Sequence, residues 1–373
     1  MPIPPATDSK PMLPPVGPFL LPYASERKPA GWRWLGALVG ASAGALLAYR
    51  TDWHAAFALL GNMGHAWPLA GLPFLLGMVF ATGAWRITLV QLGHKLPFLP
   101  LLRLRLVAEA LVTAVPAGAL VAEAVKPLWA QKRFGLPITE GIASGGLVKA
   151  FSMQAEGVYL LLAFTAAYPQ WRAVHVTLTG TTAWFWQSLP LVGIALLALG
   201  SGTIVALQGG GAMRAIDRGL ALIPISAVAR WLTTRQRAFA QINRDFAHFF
   251  AKKGAQASAL VMSLCLGQWL MEALETYVIF RLLGAGVRVE EALLIEALTS
   301  AVKCALFFLP GGLGAMEVTT YLLLGALGVV RPVETTAAFA FTKRSKDVFW
   351  ILTSLAMSLV KVGSPSPRVR EPL

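Results

Sequence analysis

The alternation of apolar runs and polar stretches along the chain predicts a series of membrane-spanning helices. A spanning α-helix needs roughly 20 mostly apolar residues. The segments that meet this requirement are 31–49, 67–93, 138–167, 184–207, 256–281 and 335–361. Repeated runs of this length are typical of a polytopic membrane protein and predict an all-α fold, since helices satisfy their own backbone hydrogen bonds in lipid.

Two further apolar segments are interrupted by helix-breaking residues. Segment 97–131 contains Pro116 and Gly118, and segment 290–330 contains "LPGGLGAME", with Pro310, Gly311, Gly312 and Gly314. Proline breaks a helix, and glycine permits turns and close backbone contacts. Broken backbone at membrane depth must be buried in protein or line a wet cavity. We predict that each segment is a re-entrant helical hairpin; the alternative is a kinked helix with small residues at helix contacts.

The two interrupted segments are also similar in sequence. Pro116, Gly118 and Glu123 match Pro310, Gly312 and Glu317 at one constant spacing, and Lys149 falls on Lys343 at the same spacing. The predicted spans between them, 138–167, 184–207 and 256–281, place the two hairpins on opposite sides of the membrane. This pattern predicts an inverted repeat. Its halves are 31–168 and 184–361, each with about three transmembrane helices and one re-entrant hairpin.

Charge orients the predicted helices. The chain carries 32 Lys and Arg against 18 Asp and Glu, a net charge of +14, although 56% of its residues are hydrophobic. The basic residues concentrate at the ends of 86–133 and within 208–255, and basic loops face the cytoplasm. We therefore predict a bacterial inner (cytoplasmic) membrane protein with both termini cytoplasmic, whose partners are membrane lipids and not nucleic acid.

The polar ends and the longest loop complete this organisation. Residues 1–30 are Pro-rich and predict a disordered cytoplasmic tail. Residues 362–373 predict a second, short cytoplasmic tail. Segment 208–255 mixes Arg with Leu, Ile, Trp and Phe. It predicts amphipathic helices on the inner leaflet, with a solvated linker as the alternative.

Charged side chains inside apolar segments are costly and indicate function by default. The candidate substrate-binding residues are Glu123, Lys126, Lys149, Glu156, Glu272, Glu275, Lys303, Glu317, Lys343, Arg344 and Asp347. Lys149 and Glu156 are seven apart, as are Glu296 and Lys303, so each pair shares a helix face.

These charges admit three interpretations. In the first, the charges form buried ion pairs such as Lys343–Asp347. In the second, Lys and Arg bind a phosphate or another anionic headgroup. In the third, the glutamates relay protons. The sequence favours the headgroup site.

Catalytic signatures do not occur in the sequence. The chain contains no G-x-S-x-G, H-E-x-x-H or P-loop motif. Its five histidines are scattered, and none pairs with another at metal-ligand spacing. We therefore expect no enzyme activity, no cofactor and no metal.

The two interrupted segments resemble the signature regions of a known family. They read "VPAGALVAEAVKPLWAQKRFGLP" and "FFLPGGLGAMEVTTYLLLGALGV", and the family is the lysylphosphatidylglycerol synthase transmembrane, or flippase-like, family. The first signature is fitted loosely by Pro116, Gly118, Glu123, Lys126, Arg133 and Gly135. The second, P-G-G-x-G-x-x-E, is matched fully by Pro310, Gly311, Gly312, Gly314 and Glu317. The resemblance covers about 30–362, and it departs from the family where the first acid is displaced to Glu123.

This resemblance implies lipid translocation between leaflets. The family includes the flippase half of the multiple peptide resistance factor and hopanoid-biosynthesis-associated membrane proteins. Because no soluble aminoacyl-transferase domain follows residue 362, we do not expect a complete lipid-lysinylating enzyme. The expected function is movement of an amphipathic lipid with an anionic or phosphorylated headgroup. The alternatives are a membrane enzyme or subunit acting on polyprenyl, hopanoid or phospholipid substrates, and a scaffold for lipid synthesis.

Overall fold

A computed structural model describes residues 42, 45–115, 118–180, 188–208, 240–251, 254–306, 312 and 314–359. This part of the chain is helical and contains no strand, which confirms the predicted all-α fold. After a helical stretch at 45–50, the elements are α1 Trp53–Gly61, a 3-10 helix Gly64–Gly71, α2 Leu72–Gln91, α3 Phe98–Ala114, α4 Gly118–Phe134, α5 Ile138–Ala166, α6 Tyr168–Thr179, α7 Ser188–Gln208, a helical segment at 240–251, α8 Gly254–Leu283, α9 Val289–Ala305, α10 Ala315–Ala326 and α11 Pro332–Leu359.

Within the described residues, four helices are long and apolar enough to cross a membrane. They are Gly64–Gln91, Ile138–Ala166, Leu189–Gln208 and Gly254–Leu283, and they coincide with four of the predicted spans. The predicted span 335–361 forms α11, which has 28 residues but carries a cluster of charges near its middle. The predicted span 31–49 lies largely outside the described residues, as do the tails 1–30 and 362–373.

Each interrupted segment folds into two helices that pack against each other. Helices α3 and α4 are joined through 115–117, and α9 and α10 through 306–314. The two helices of each pair contact each other and follow closely in the chain, so each pair is a helical hairpin. That the hairpins are re-entrant stays a prediction. Pro116, Pro310 and Gly311 lie outside the described residues. Helix α10 has 12 residues, so it is about 18 Å long, which is shorter than the hydrocarbon core of a bilayer.

Local capping explains where several helices begin and end. The Asp52 carboxylate accepts hydrogen bonds from the backbone N–H groups of His54 and Ala55, at 3.0 and 3.2 Å, and starts α1. In the first turn of α9, the Glu291 carboxylate accepts from the backbone N–H of Arg288, the residue before the helix, at 2.9 Å and from its guanidinium at 2.7 Å. The hydrogen bond between the two side chains and the negative charge of Glu291 raise the pKa of the Arg288 guanidinium. These interactions place the helix start at the beginning of the second hairpin.

Helix α8 lies at the centre of the packing and contacts α2, α5 and α9. The Tyr159 hydroxyl of α5 donates to the Leu293 carbonyl of α9 at 3.0 Å, and its ring stacks on Trp269 of α8 at 6.0 Å between centroids. Phe280 of α8 stacks on Phe339 of α11 at 4.4 Å. Helices from 31–168 and 184–361, the two predicted halves, therefore share one core.

The described part of the predicted interfacial segment 208–255 packs on protein. Residues 240–251 are helical, and Ile242, Phe246 and Phe249 are buried in a cluster with residues of α5, α7 and α8. The opposite face exposes Arg244 and His248. This helix is amphipathic, and its apolar face contacts other helices; the position of the loop at the inner leaflet stays a prediction. Residues 209–239, the rest of the loop's apolar and basic stretch, lie outside the described residues.

Candidate functional site

A cavity of about 510 Å³ opens between helices α2, α3, α4, α5 and α8. We call it the charged cavity, because its lining includes Arg105 and Glu109 of α3, Glu123 and Lys126 of α4, and Lys149 of α5. Its apolar lining includes Trp85, Val112, Leu120 and Trp269. The same cavity therefore has both a charged and an apolar surface, which match the two parts of an amphipathic molecule.

Only part of the charge in the cavity is neutralised by the described protein. Lys126 Nζ lies 2.6 Å from Glu123 Oε1, so these two charges compensate each other. Arg105, Glu109 and Lys149 make no ion pair with another described residue. The Nε atom of Arg105 is buried and lacks a hydrogen-bond partner within the described part of the chain. A buried donor without a partner is costly, which makes Arg105 a candidate contact for an anionic ligand.

A second polar group, centred on Glu296 of α9, is saturated by protein contacts. The side chain of Glu296 is only 2% exposed. Its carboxylate accepts from Lys343 Nζ of α11 at 2.8 Å, from Lys303 Nζ at 3.4 Å and from the Thr276 hydroxyl of α8. We call this group the Glu296 network; it ties α9 to α8 and α11.

A third group joins the middle of α11 to its neighbours. Lys346 Nζ lies 2.7 Å from Glu275 of α8, and both side chains are buried. The Arg344 guanidinium lies 3.1 Å from the Glu317 carboxylate of α10 and 3.7 Å from Asp347. These pairs explain how a long helix with four neighbouring charges packs inside an apolar protein.

The structure thus divides the predicted site residues. Glu123, Lys126 and Lys149 line the charged cavity, whereas six others form ion pairs outside it: Glu275, Lys303, Glu317, Lys343, Arg344 and Asp347. Glu156 accepts from the Ser300 hydroxyl at 3.1 Å, and Glu272 accepts from Gln268, a cavity residue, at 3.3 Å. The suggested pair Lys343–Asp347 is wrong: Lys343 contacts Glu296 instead, because the neighbouring helix α9 brings a carboxylate closer than the same helix does.

Three charged residues of the cavity and of the Glu296 network are not among the predicted substrate-binding residues: Glu296, Arg105 and Glu109. Glu296 has a sequence signal, since it precedes Lys303 by seven positions, and this pair is confirmed at 3.4 Å. Arg105 lies near the end of an apolar segment, where a basic residue resembles a loop charge. Glu109 lies four positions after Arg105 on α3, inside an apolar run.

The glycines of the two breaks have steric reasons. Gly312 has φ +65°, and a Cβ there would lie 2.9 Å from Cγ of Lys303. Gly314 has φ +79°. At Gly118 a Cβ would lie 2.2 Å from the backbone oxygen of Leu111. These positions require glycine for its backbone freedom and its lack of a side chain.

Gly312→Leu should therefore lower the melting temperature or the amount of folded protein far more than Gly325→Leu. Residue 312 has a φ of +65°, which leucine rarely adopts, and its side chain would also crowd Lys303, whereas Gly325 has no positive φ and a Cβ there meets no atom within 4 Å. Thermal melts of the two purified variants measure this difference. Equal melting temperatures of the two variants would show that position 312 does not require glycine.

Residues 33–345 match the family described as the lysylphosphatidylglycerol synthase TM region. The chain belongs to this family. The match confirms the resemblance seen in the two signature segments, and no curated protein was found to match the chain. With the four apolar helices, membership establishes a multi-pass membrane protein connected with lipid metabolism or transport.

The lysylphosphatidylglycerol synthase TM region family match includes both hairpins and every residue named here in the charged cavity. It also includes Glu296, Lys303 and Lys343, and it ends at residue 345, just before Lys346 and Asp347. The residues named in the charged cavity and in the Glu296 network therefore all lie within the part of the chain that matches the family.

Proposed function

We propose that this protein moves an amphipathic lipid with an anionic or phosphorylated headgroup between the leaflets of the bacterial inner membrane. The charged cavity carries the proposal. Arg105 and Lys149 have no ion-pair partner among the described residues, and both face the same space as Trp85, Leu120 and Trp269. A phosphate would accept charge-assisted hydrogen bonds from the two cations, while the apolar wall would contact the adjoining part of the lipid.

The arrangement of helices supports an alternating-access transporter built from inverted halves. The hairpin α3–α4 precedes the long helix α5, and the hairpin α9–α10 precedes the long helix α11. Helix α5 begins at Ile138 and α11 at Pro332, which are separated by the same number of positions as Lys149 and Lys343. In this proposal the hairpins enter from opposite sides and meet near the midplane, and the basic loop 208–255 and both termini are cytoplasmic.

The Glu296 network has a supporting role in this proposal. Its charges are already satisfied by protein groups, so in this proposal it holds α9 and α11 against α8, which is one wall of the cavity, instead of binding the headgroup. The proposal requires no catalytic step, no cofactor and no nucleotide, so the protein would act as a transporter and not as an enzyme.

A leaflet-exchange assay tests the proposal. The purified protein is reconstituted into liposomes with fluorescent phosphatidylglycerol, and dithionite bleaches the label in the outer leaflet. The protein should expose the inner-leaflet label to dithionite faster than empty liposomes do. The double variant Arg105→Gln/Lys149→Gln should slow this exchange by roughly tenfold or more, because each lost charge-assisted hydrogen bond contributes about 1.5–3 kcal/mol.

The matched control is the double variant Arg172→Gln/Arg281→Gln. It removes the same charge from two exposed positions outside the cavity and should leave exchange unchanged. Exchange no faster than in empty liposomes would contradict transport. Mass spectrometry of the recovered lipids then separates the alternatives, because an enzyme changes the lipid mass and a scaffold does not.

A further inference from the structure

Two carboxylates lie inside membrane-crossing helices without a cation close to them. Glu156 belongs to α5 and Glu272 to α8, and both helices are long and apolar enough to span. Glu156 is buried and accepts a hydrogen bond from the Ser300 hydroxyl of α9 at 3.1 Å. Glu272 accepts one from the Gln268 amide at 3.3 Å. Among the described residues, neither carboxylate has a Lys, Arg or His nitrogen within 4.0 Å.

The groups that contact the two carboxylates fit either protonation state. A hydroxyl and a primary amide each carry both a donor and an acceptor. Ser300 and Gln268 can therefore donate to an ionised carboxylate or, after rotation, accept from a protonated one. A lysine or arginine in their place could only donate and would hold the carboxylate ionised. Carboxyl groups inside membrane spans are typical of proton pathways.

The charges around these carboxylates include a surplus of cations. The charged cavity is lined by three cations and two carboxylates, and the Glu296 network contains two lysines and one glutamate. Glu156 and Glu272 offset this surplus when they are ionised. When they are protonated, the surplus positive charge is left for an anionic ligand.

Charge placed in the cavity acts on both carboxylates. Gln268, the donor to Glu272, lines the cavity, and so do Lys149 and Ser152 on the turns of α5 that precede Glu156. The charged groups that act on Glu272 come from α3, α9 and α11, and those that act on Glu156 come from α5 and α9: Glu109, Glu296, Lys303, Lys343 and Lys149. Glu272 therefore lies between the cavity and the Glu296 network.

Several further groups on the elements packed against α5 and α8 have other partners. Arg86 of α2 donates to the Leu96 carbonyl, and the Tyr159 hydroxyl of α5 donates to the Leu293 carbonyl. Helix α7 has no charged residue. Ion pairs hold Glu123 with Lys126, Glu275 with Lys346, and Arg344 with Glu317 and Asp347. Exposed at the surface are His65, Arg172 and Cys304.

We propose that Glu156 and Glu272 bind protons when an anionic headgroup enters the charged cavity, so that lipid and protons cross the membrane together. This inference rests on the proposed transport function and adds its energy source. A headgroup between Arg105 and Lys149 neutralises cations that the two carboxylates otherwise offset. An ionised carboxylate in apolar protein is then costly, and protonation removes that cost. A phosphodiester with one negative charge takes up one proton, so the combined movement carries no net charge.

A pH gradient across liposomes tests the proposal. The protein is reconstituted with fluorescent phosphatidylglycerol, the interior is buffered about one pH unit below the exterior, and external dithionite measures the label in each leaflet at equilibrium. Protons that leave the liposome should carry lipid outward, to an outer-to-inner ratio of up to about tenfold for one proton per lipid. Empty liposomes, and liposomes whose gradient is collapsed by nigericin, should lack this shift over the same time.

The double variant Glu156→Gln/Glu272→Gln should lose the shift, because glutamine resembles a protonated glutamate but cannot release a proton. The matched control is Glu290→Gln/Glu334→Gln, which removes two carboxylates from the first turns of α9 and α11 and should keep the shift. Exchange is first measured at equal pH. If the unmodified protein exchanges lipid at equal pH but shows no shift under the gradient, proton coupling is overturned and the transport proposal stands. An equal shift in both double variants also overturns it.

Infrared spectroscopy tests proton binding without transport and without variants. Diether phosphatidylglycerol, which has no ester carbonyl, is added to the unmodified protein in detergent at neutral pH. The carboxyl stretch of protonated glutamate should gain intensity as the carboxylate stretches weaken, and diether phosphatidylcholine should leave both unchanged. If the liposomes show no exchange at all, transport fails and this spectrum alone decides proton binding. No gain with phosphatidylglycerol would overturn the proposal.

Discussion

Glu296→Ala should lower the free energy of unfolding by about 3–5 kcal/mol, because it strands a buried ammonium group in the protein interior. Lys343 and Glu296 are 10% and 2% exposed at their side chains, and their charged atoms are 2.8 Å apart. Without the Glu296 carboxylate, Lys343 has no ion-pair partner within 4 Å among the described residues, and its ammonium lies over the Phe339 ring, 5.3 Å from the centroid. Equilibrium unfolding of the purified protein by added SDS measures the loss.

The Glu296 network also predicts the order of the related variants. Lys343→Ala should cost less than Glu296→Ala, because Glu296 would still accept from Lys303 and Thr276. Lys303→Ala should cost under about 1 kcal/mol, since this lysine is one-third exposed and lies 3.4 Å from the carboxylate. Adding Lys343→Ala to Glu296→Ala should restore part of the lost stability. Equal costs for Glu296→Ala and Lys303→Ala would contradict a shared carboxylate.

Gly157→Ala and Gly200→Ala should each destabilise the protein by about 1–3 kcal/mol or more, because they force two helix backbones apart. A Cβ at Gly157 of α5 would lie 2.6 Å from the backbone nitrogen of Leu197 in α7. A Cβ at Gly200 of α7 would lie 2.7 Å from the backbone nitrogen of Gln154. Backbone atoms cannot rotate away as a flexible side chain can. Small residues at such contacts are typical of membrane helix packing.

Gly202→Ala is the matched control on the same helix. A Cβ at Gly202 meets no atom within 4 Å, and this glycine is exposed. Alanine also has the higher helix propensity, so this variant should melt at the same temperature as the unmodified protein or slightly above it. Equal melting temperatures for Gly200→Ala and Gly202→Ala would show that the close contact between α5 and α7 does not contribute to stability.

The helices and the hairpins could be predicted because their signals are local. Hydrophobic length identified 67–93, 138–167, 184–207 and 256–281, since a span must cross a layer of set thickness. Proline and glycine marked both breaks, and Gly312 takes a positive φ. The two signature segments were also enough to identify the family, which the match over 33–345 confirms. The sequence also predicted the amphipathic character of 240–251, but not the helices against which its apolar face packs.

The partners of the charges could not be predicted, because they come from helices distant in sequence. Lys343 and Asp347 are one turn apart on α11, yet the carboxylate that binds Lys343 is Glu296 on α9. In the same way, Arg105 and Lys149 share one cavity only because α3 and α5 pack around it.

The sequence by itself determined a helical membrane protein with two hairpins broken at proline and glycine, and it determined the family, since these follow from hydrophobic length, backbone restrictions and a short motif. The tertiary structure alone decided which buried charges neutralise one another and which face the charged cavity. The physical reason is that electrostatic pairing depends on distance in space, and packing sets that distance for residues far apart in the chain.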